Sequence, residues 1–153
     1  MDVSYGTQEI ATSTIPVVDS SGYRNYLEEV YGNRNLAAGA QQGNSNWQEE
    51  ILGTGQSQNY ALSFNGGDEK TRFYASLGYL DEEGILQGSA FSRYSGRLNV
   101  DHVASDRFSM GMNLSYMKSN TKQIQNDNNI YGAISTAILL PPTVPIFNED
   151  GTY

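Results

Sequence analysis

The stretch RYSGRLNVDHV, residues 93–103, alternates its side chains with a strict period of two, which is the period of a β-strand. One face of such a strand carries apolar or small residues, namely Tyr94, Gly96, Leu98 and Val100. The other face carries the polar set Arg93, Ser95, Arg97, Asn99 and Asp101. A half-buried soluble sheet and a membrane barrel with a wet lumen both account for this pattern, so the rest of the chain has to decide between them.

Three further segments alternate in the same way and predict, with the first, an antiparallel all-β meander. They are QNYALSFN (58–65), TRFYASLGY (71–79) and RFSMGMNLSYMKS (107–119). Their apolar faces contain Tyr60, Leu62, Phe64, Phe73, Leu77, Tyr79, Phe108, Met110, Met112, Leu114 and Tyr116. Loops at 67–70 and 104–106 predict hairpins in which Phe64 lies opposite Phe73 and Leu98 lies opposite Met112. A fifth, shorter strand is expected at 3–9.

The apolar faces are ordered along the strands. Phenylalanines and His102 lie near the short turns, aliphatic residues lie in the middle, and tyrosines lie at the far ends. An aliphatic band between two aromatic rows is typical of the outer face of a membrane barrel. The connections are asymmetric as well, because short turns lie on one side and longer segments (11–56, 80–90 and the residues after 119) on the other. This order favours a barrel over a soluble sheet, which stays open as the alternative.

Composition excludes several classes of protein. The net charge of −8, from nine basic and seventeen acidic residues, gives no basic surface for nucleic acid. The absence of cysteine excludes disulfides, thiolate metal sites and thiol nucleophiles. No apolar run approaches the roughly 20 residues of a spanning helix, so any membrane insertion would use strands. The first ten residues have neither a basic start nor an apolar segment, and no signal peptide is predicted.

Short helices are predicted in the longer connections. Residues 19–32 offer Asp19 or Ser20 as an N-cap and Gly32 as a stop. Residues 44–52 fit one or two helical turns, and residues 129–140 fit a third helix that ends at two prolines. The residues beyond those prolines are expected to be extended.

No catalytic residue, cofactor or metal site is predicted. His102 is the only histidine, and it points to the opposite face of its strand from Asp101, so the pair does not form a catalytic arrangement. The acidic cluster at 81–83 carries carboxylates that suit calcium, but a solvated loop is the preferred interpretation. The segment 127–132 lacks the ligand pattern of a calcium loop because Tyr131 stands where an oxygen ligand is needed.

Four blocks of the sequence resemble a known family. They are NWQEEIL (46–52), SQNYALSFNGGDEKTRFYASLGYLDEEGIL (57–86), FSRYSGRLNVDHVASDRFSMGMNLSYMKS (91–119) and LLPPTVPIFNEDGTY (139–153). In this order they resemble the SusC/RagA family of TonB-dependent outer-membrane transporters of Bacteroidota. The resemblance covers about residues 44–153 and is looser before them.

The resemblance implies a part of a 22-stranded outer-membrane barrel. Such a transporter has an N-terminal plug, a SusD-like lipoprotein partner that captures glycans or peptides, and import energy from the TonB complex through a segment before the plug. The chain is expected to supply about five transmembrane strands with short helices in long extracellular loops, over residues 1–153 and without the plug. Five strands leave a barrel open, so transport by this chain alone is not expected.

The barrel interpretation assigns a role to each face. The apolar face would contact outer-membrane lipid. The lumen-facing set would be Arg72, Tyr74, Arg93, Arg97, Asn99, Asp101 and Asn113. Contact with plug or solute is one role for this set, and mutual neutralisation of Arg97 and Asp101 is the preferred one. The alternative function, a small soluble β-domain that binds carbohydrate, would instead place Leu62, Leu77, Leu98 and Met112 in a closed core.

Overall fold

The computed structural model describes residues 1–11, 15–32, 43–124, 132–148 and 150–152. The chain forms two compact units. The sheet unit comprises Met1–Glu9 and Thr54–Gln123. The loop unit comprises Ile10–Gly53 and Ile124–Tyr153. Among the described residues, no helix is long and apolar enough to cross a membrane.

The sheet unit is one antiparallel sheet of five strands in the order β1-β2-β3-β4-β5, as the alternating segments predict. The strands are β1 (Asp2–Gln8), β2 (Gly55–Gly67), β3 (Thr71–Glu83), β4 (Ala90–Ser105) and β5 (Phe108–Lys122). About 11 tilted residues cross the apolar part of a bilayer, so the 16 residues of β4 and the 15 of β5 are long enough to cross and project beyond it.

The register of the β2–β3 hairpin differs from the prediction by two residues. Phe64 lies opposite Ala75, not Phe73, and Phe73 lies opposite Gly66. The cause is a turn that is displaced by one residue along the chain: the last pair is Gly67 with Arg72, and within the turn the backbone N–H of Asp68 donates to the carbonyl of Thr71 at 2.7 Å. A shift of two residues preserves the face of every side chain, because the side-chain period of a strand is also two.

The β4–β5 hairpin shows the same kind of shift. Leu98 lies opposite Leu114, not Met112, and Ser105 lies opposite Phe108. The ladder contains an irregularity between Val103 and Ser105, where one extra residue in β4 bulges before a two-residue turn. The predicted three-residue loop was therefore wrong in length, but the predicted faces are correct.

The connection between β3 and β4 is shorter than the eleven residues predicted. β3 continues to Glu83 and β4 begins at Ala90, which leaves residues 84–89. The strand pairing continues through polar residues at the strand ends, where the apolar alternation that marks a strand in the sequence has already ceased. Ser89 closes the connection, since its Oγ and N–H both donate to the carbonyl of Leu86, at 2.6 and 3.0 Å.

Among its described residues, the loop unit contains three short helices, α1 (Ser20–Tyr31), α2 (Trp47–Ile51) and α3 (Ala133–Leu139). Asp19 caps α1 by accepting from the backbone N–H of Gly22 at 2.7 Å, and Gly32 ends it in the left-handed conformation at φ 56°. The helix predicted at 129–140 is shorter as observed, and its first three predicted residues lie outside the described part of the chain.

The segment after α3 is held by its backbone carbonyls. Those of residues 141–144 each accept a hydrogen bond from the 20–47 region. Trp47 Nε1 donates to Pro141, Ser20 Oγ donates to Pro142 at 3.0 Å, and Ser45 Oγ donates to Val144 at 2.7 Å. The backbone N–H of Gly43 donates to the carbonyl of residue 143 at 3.0 Å. The loop unit is therefore organised around residues 141–144, a bent, proline-containing segment that we call the proline strap.

The last described residues form a turn instead of remaining extended, which corrects the prediction for the residues after the prolines. The N–H of Asn148 donates to the carbonyl of Thr152 at 2.7 Å, and Gly151 adopts φ 79° within the turn. Asp150 Oδ1 accepts from both the N–H and the Oγ of Thr152, at 3.0 and 2.7 Å. These hydrogen bonds hold the pKa of the Asp150 carboxyl below its ordinary value.

Candidate functional site

The apolar side chains share one face of the sheet. Rungs of the ladder join Leu62, Leu77 and Gly96 in one row and Ala75, Leu98 and Leu114 in the next. All the residues predicted for the apolar face lie on it: Tyr60, Leu62, Phe64, Phe73, Leu77, Tyr79, Tyr94, Leu98, Val100, Phe108, Met110, Met112, Leu114 and Tyr116. Val3 and Tyr5 of β1 extend the same face.

This apolar face is open. Leu77 is 63% exposed, Leu114 is 59% exposed and Met112 is 51% exposed. Within the described residues Ala137, in the loop unit, is the one buried apolar side chain. A closed core around Leu62, Leu77, Leu98 and Met112, which the soluble alternative requires, is therefore not what the chain forms. A contiguous exposed apolar surface of this kind marks a membrane or protein contact.

Tyrosines from three neighbouring strands line up at the long-loop end of the apolar face. Tyr60 lies opposite Tyr79, and Tyr79 lies opposite Tyr94. The ring centroids of the first pair are 6.3 Å apart and those of the second 4.7 Å apart. Tyr116 lies one rung nearer the short turns, opposite Gly96. Such a row fits the interfacial belt of a membrane protein, where the rings are in the apolar layer and the hydroxyls reach water.

The polar residues form the opposite face. Arg72 lies directly across from Asp101, and Tyr74, Asn99 and Asn113 form one rung. Arg97 lies between serines of β3 and β5, while Arg93 lies nearer the long connections. The seven residues predicted for the lumen thus share one face: Arg72, Tyr74, Arg93, Arg97, Asn99, Asp101 and Asn113. The register makes Arg72 the cross-strand neighbour of Asp101, whereas Arg97 lies four residues, or about 13 Å, away along the same strand with Asn99 between them.

Glycines on the polar face make room for these side chains. A Cβ at Gly111 would come within 2.9 Å of Asp101 Oδ1, and a Cβ at Gly78 within 2.7 Å of Ser95 Oγ. Real side chains do not tolerate such approaches without movement of the neighbour. The glycines on this face therefore reflect crowding among polar groups above the backbone.

The β2–β3 turn is fixed by one carboxylate. Asp68 Oδ1 accepts from the backbone N–H groups of Lys70 and Thr71, at 2.8 and 2.7 Å. These two bonds hold the pKa of the Asp68 carboxyl below its ordinary value, and the bond from Thr71 has the larger effect. Gly67 precedes the turn at φ 150°, and a Cβ there would approach the carbonyl oxygen of Thr71 to 2.2 Å. Only glycine fits this entry to the turn.

His102 lies on the apolar face near the short turns, as predicted, and away from Asp101. Its Nδ1 is 2.8 Å from Thr71 Oγ1, and Thr71 is its cross-strand neighbour. The ring is thus satisfied by a threonine of the adjacent strand. Asp81 and Glu83 lie on one face of β3 and Glu82 on the other, so the acidic cluster is divided by the strand. Among the described residues no group of side chains is arranged to hold a metal ion.

Two features of the sheet were missed from the sequence. Lys118 continues the face of Tyr116 and lies opposite Tyr94, at the end of the tyrosine row. Gly96 leaves a gap in the apolar face beside Leu77. The sequence contained one signal for the gap, because Gly96 interrupts the alternation of large apolar residues. It contained none for the position of Lys118 beside Tyr94, because that position depends on the register.

The chain is similar to TonB-dependent receptors of two bacteria. It is 34% identical over 110 residues to TonB-dependent receptor P26 of Formosa agariphila, covering 72% of this chain and 10% of that protein. It is 28% identical over 138 residues to TonB-dependent receptor SusC of Bacteroides thetaiotaomicron, covering 90% of this chain and 13% of that protein. No family model matches the chain.

The fold agrees with these similarities. A solved structure of the RagAB peptide transporter superposes with a TM-score of 0.74 and 21% identity, over 97% of this chain and 21% of that one. The chain belongs to the SusC/RagA family of TonB-dependent receptors. Members of this family are outer-membrane β-barrel proteins, which places the chain in the outer membrane.

The matched region is a small part of the relatives. The chain spans 10% to 15% of the length of the curated receptors it matches. The relatives are named as receptors or transporters and not as enzymes, in agreement with the absence of a predicted catalytic residue.

Proposed function

We propose that residues 1–153 are part of the barrel domain of a TonB-dependent receptor and form five adjacent strands of its wall. The apolar face contacts outer-membrane lipid and the polar face lines the lumen. The observation that carries this proposal is the single-layered sheet, which has one exposed face that is apolar between the short turns and the tyrosine row, and one polar face. A water-filled or plugged barrel interior accommodates Arg72, Arg97 and Asp101, whereas hydrocarbon does not.

The assignment of the faces is tested by single-cysteine spin labels in the complete receptor, reconstituted in lipid bilayers. The 153 residues contain no cysteine that would compete for the label. Labels at Leu98 and Leu114 are expected to collide with oxygen dissolved in the bilayer, and labels at their neighbours Asn99 and Asn113 with a water-soluble nickel chelate. The reverse pattern, or equal access of both probes to adjacent positions, would contradict the assignment.

We propose further that the complete receptor imports a nutrient across the outer membrane, with energy from the TonB complex and with a SusD-like surface lipoprotein as partner. Support comes from the similarity to SusC and from the fold shared with the RagAB peptide transporter. Within this function the present strands form a scaffold that positions the loops, because binding residues are concentrated on loops that a rigid scaffold holds in place.

An uptake assay tests the import function. Cells lacking the receptor are expected to lose uptake of its solute, and both re-expression of the receptor and an intact TonB complex are needed to restore it. Uptake that continues after inactivation of TonB would contradict energised import. Co-purification of a lipoprotein with the tagged receptor tests the partner, and its absence under mild detergent would reject it.

The solute class is a glycan or a peptide. Growth of the same strains on mixed oligosaccharides and on mixed oligopeptides, each as the sole carbon source, distinguishes the two classes. A receptor-dependent difference on one mixture only would identify that class. Equal growth of receptor-containing and receptor-lacking cells on both mixtures would reject nutrient import of either kind.

A further inference from the structure

The polar face of the sheet contains an open cleft of about 500 Å³ around Arg97. The side chains of this face that line the cleft are one arginine, three serines and a methionine: Arg97, Ser76, Ser95, Ser115 and Met117. They come from three neighbouring strands of one unit, β3, β4 and β5, so the cleft is a property of the sheet itself. Within the described part of the chain, none of the residues that line the cleft is acidic.

Arg97 is exposed and is surrounded by neutral residues on its face of the sheet. Ser76 of β3 and Ser115 of β5 lie directly opposite it. Its neighbours along β4 on the same face are Ser95 and Asn99. The diagonal neighbours in the adjacent strands are also neutral, namely Tyr74, Gly78, Asn113 and Met117. The register therefore gives Arg97 no acidic neighbour among the described residues of the sheet.

The carboxylates that share the polar face lie far from Arg97. Asp101 is four residues, or about 13 Å, away along β4 and lies opposite Arg72. Asp2 belongs to β1, three strands or about 14 Å across the sheet. Glu82 is six residues, or about 20 Å, along β3 from the rung of Arg97, and it accepts a hydrogen bond from a serine of β2. The charge of Arg97 is thus available to an external anion.

We infer that this cleft binds an oxyanion of the imported solute, such as a carboxylate. The planar guanidinium of Arg97 donates two parallel hydrogen bonds to such a group, and the serine hydroxyls beside it are further donors. The inference rests on the proposed import function, and it narrows the solute to one that carries a negative charge. Position supports it as well as charge, because Arg97 lies only three residues, or about 10 Å, from Tyr94 of the tyrosine row, on the side of the long connections. A solute that enters the lumen from outside the cell meets this side first.

Fractionation of the growth mixtures by charge tests the inference. The mixed oligosaccharides and the mixed oligopeptides are each passed over an anion-exchange column, which separates a retained, anionic fraction from an unretained one. Growth that depends on the receptor is expected on a retained fraction only. Receptor-dependent growth on an unretained fraction alone, or equally on both, would overturn the inference and leave import intact. Growth that is independent of the receptor on every fraction would reject import, and the inference with it.

Matched variants of the complete receptor connect this selectivity to the cleft. Arg97→Gln is expected to lower the initial rate of uptake from the retained fraction about tenfold, the effect of losing one hydrogen bond between charged groups, and Arg97→Lys is expected to lower it less. Ser115→Ala, which removes one hydroxyl of the cleft, is expected to lower it about threefold. Lys118→Gln removes a positive charge from the opposite face, and Ser109→Ala removes a hydroxyl from the same face of β5 outside the cleft. Both are expected to take up solute as the unaltered receptor does.

Thermal unfolding distinguishes a solute anion from an acidic side chain elsewhere in the receptor. If the solute is the partner, Arg97→Gln should unfold in the absence of solute at the same temperature as the unaltered receptor. A lowered unfolding temperature together with an unchanged rate of uptake from the retained fraction would assign Arg97 to the receptor's own carboxylate and overturn the inference. Equal losses of uptake in Arg97→Gln and Lys118→Gln would overturn it too. If Arg97→Gln fails to assemble, the pair Ser115→Ala and Ser109→Ala decides, and equal uptake by these two variants would contradict the inference.

Discussion

The sheet unit and the loop unit are stabilised in opposite ways. In the sheet unit, backbone pairing satisfies the main chain, while large apolar side chains such as Leu77 and Leu114 stay exposed on one face. Among the described residues of the loop unit, the buried side chains are mostly polar, since Ser20, Gln48 and Thr143 are 5%, 4% and 3% exposed, and the side chains of Ser20 and Gln48 bind backbone groups. The sheet unit thus depends on an apolar surrounding medium, and the loop unit depends on specific hydrogen bonds.

This difference predicts which substitutions each unit tolerates. In the proposed assignment the apolar face contacts lipid, which is fluid, so this face should accept any apolar side chain and reject charge. The polar contacts of the loop unit have defined partners at defined distances, so even a conservative change leaves a backbone group unpaired. The two units should therefore respond to different kinds of mutation, and four substitutions test this.

The largest effect is expected for a charge placed in the middle of the apolar face. Leu98→Arg should destabilise the complete receptor in a bilayer by about 2–4 kcal/mol, since an arginine near the bilayer midplane loses its hydration. Denaturant unfolding of receptor reconstituted in vesicles measures the change. The adjacent Asn99→Arg places the same side chain on the polar face and should change stability by no more than about 0.5 kcal/mol. Equal losses at the two positions would erase the distinction between the faces.

The next effect is expected at the tightest packing in the loop unit. A Cβ at Gly43 would come within 2.8 Å of both the carbonyl oxygen of Thr143 and the nitrogen of Pro145. Gly43→Ala should destabilise this unit by about 1–3 kcal/mol, as expected for overpacking against backbone that is itself fixed. Hydrogen exchange of the Gly43 and Ser45 backbone amides, which are bonded to the proline strap, measures the loss.

Gly6→Ala is the matched control in the sheet unit, because its Cβ would meet only Ser57 Cβ, at 4.0 Å. It should leave exchange in the loop unit unchanged. If Gly6→Ala and Gly43→Ala had the same effect, the loss would reflect the helix and strand preferences of alanine and not the close packing of the strap.

A smaller effect is expected from the buried glutamine of α2. Gln48 Nε2 donates to the carbonyl of Ile15 at 2.8 Å, and its Oε1 accepts from the N–H of the same residue at 3.1 Å. Gln48→Leu removes both bonds at similar size and should cost about 1–2 kcal/mol, from two hydrogen bonds of ordinary net strength. Faster exchange of the Ile15 amide measures it, and Glu49→Ala, on the exposed side of the same helix, should leave that amide protected.

The two units also differ in how much of them the sequence predicts. The period of two fixed the faces of every strand from Tyr60 to Tyr116, because a side chain can reach only one face at a time. It left the register uncertain by two residues, since a shift of two moves no side chain to the wrong face. The exact register depended on the turns, where Asp68 and the bulge before Ser105 set the loop length.

The loop unit was less predictable. The caps of α1, Asp19 and Gly32, were visible because capping is a local interaction. The contacts of Ser20, Gln48 and Trp47 with residues 15 and 141–142 were not, because they join residues far apart in the sequence and follow no periodic pattern.

The smallest effect is expected where the sheet unit itself relies on a specific polar contact, the Asp68 turn. The N–H groups of Thr71 and Lys70 hold the pKa of this carboxyl below its ordinary value of 3.8. A lowered folded-state pKa means that the charged carboxylate stabilises the turn fully above the ordinary pKa, and that this contribution is lost as the pH falls through the lowered one. Asp68→Asn keeps an acceptor oxygen without the charge, so it should weaken the turn near neutral pH and remove its acid dependence.

Thermal unfolding of the reconstituted receptor between neutral pH and a pH below the lowered pKa measures this dependence. Glu69→Gln removes a neighbouring charge in the same turn without altering the two hydrogen bonds to Asp68, and it should retain the acid dependence of the unaltered receptor. If Asp68→Asn and Glu69→Gln flattened the profile equally, net charge and not the turn would be responsible. Backbone pairing alone would then set the register of the sheet. Specific polar side-chain contacts would in that case stabilise the loop unit but not the sheet unit.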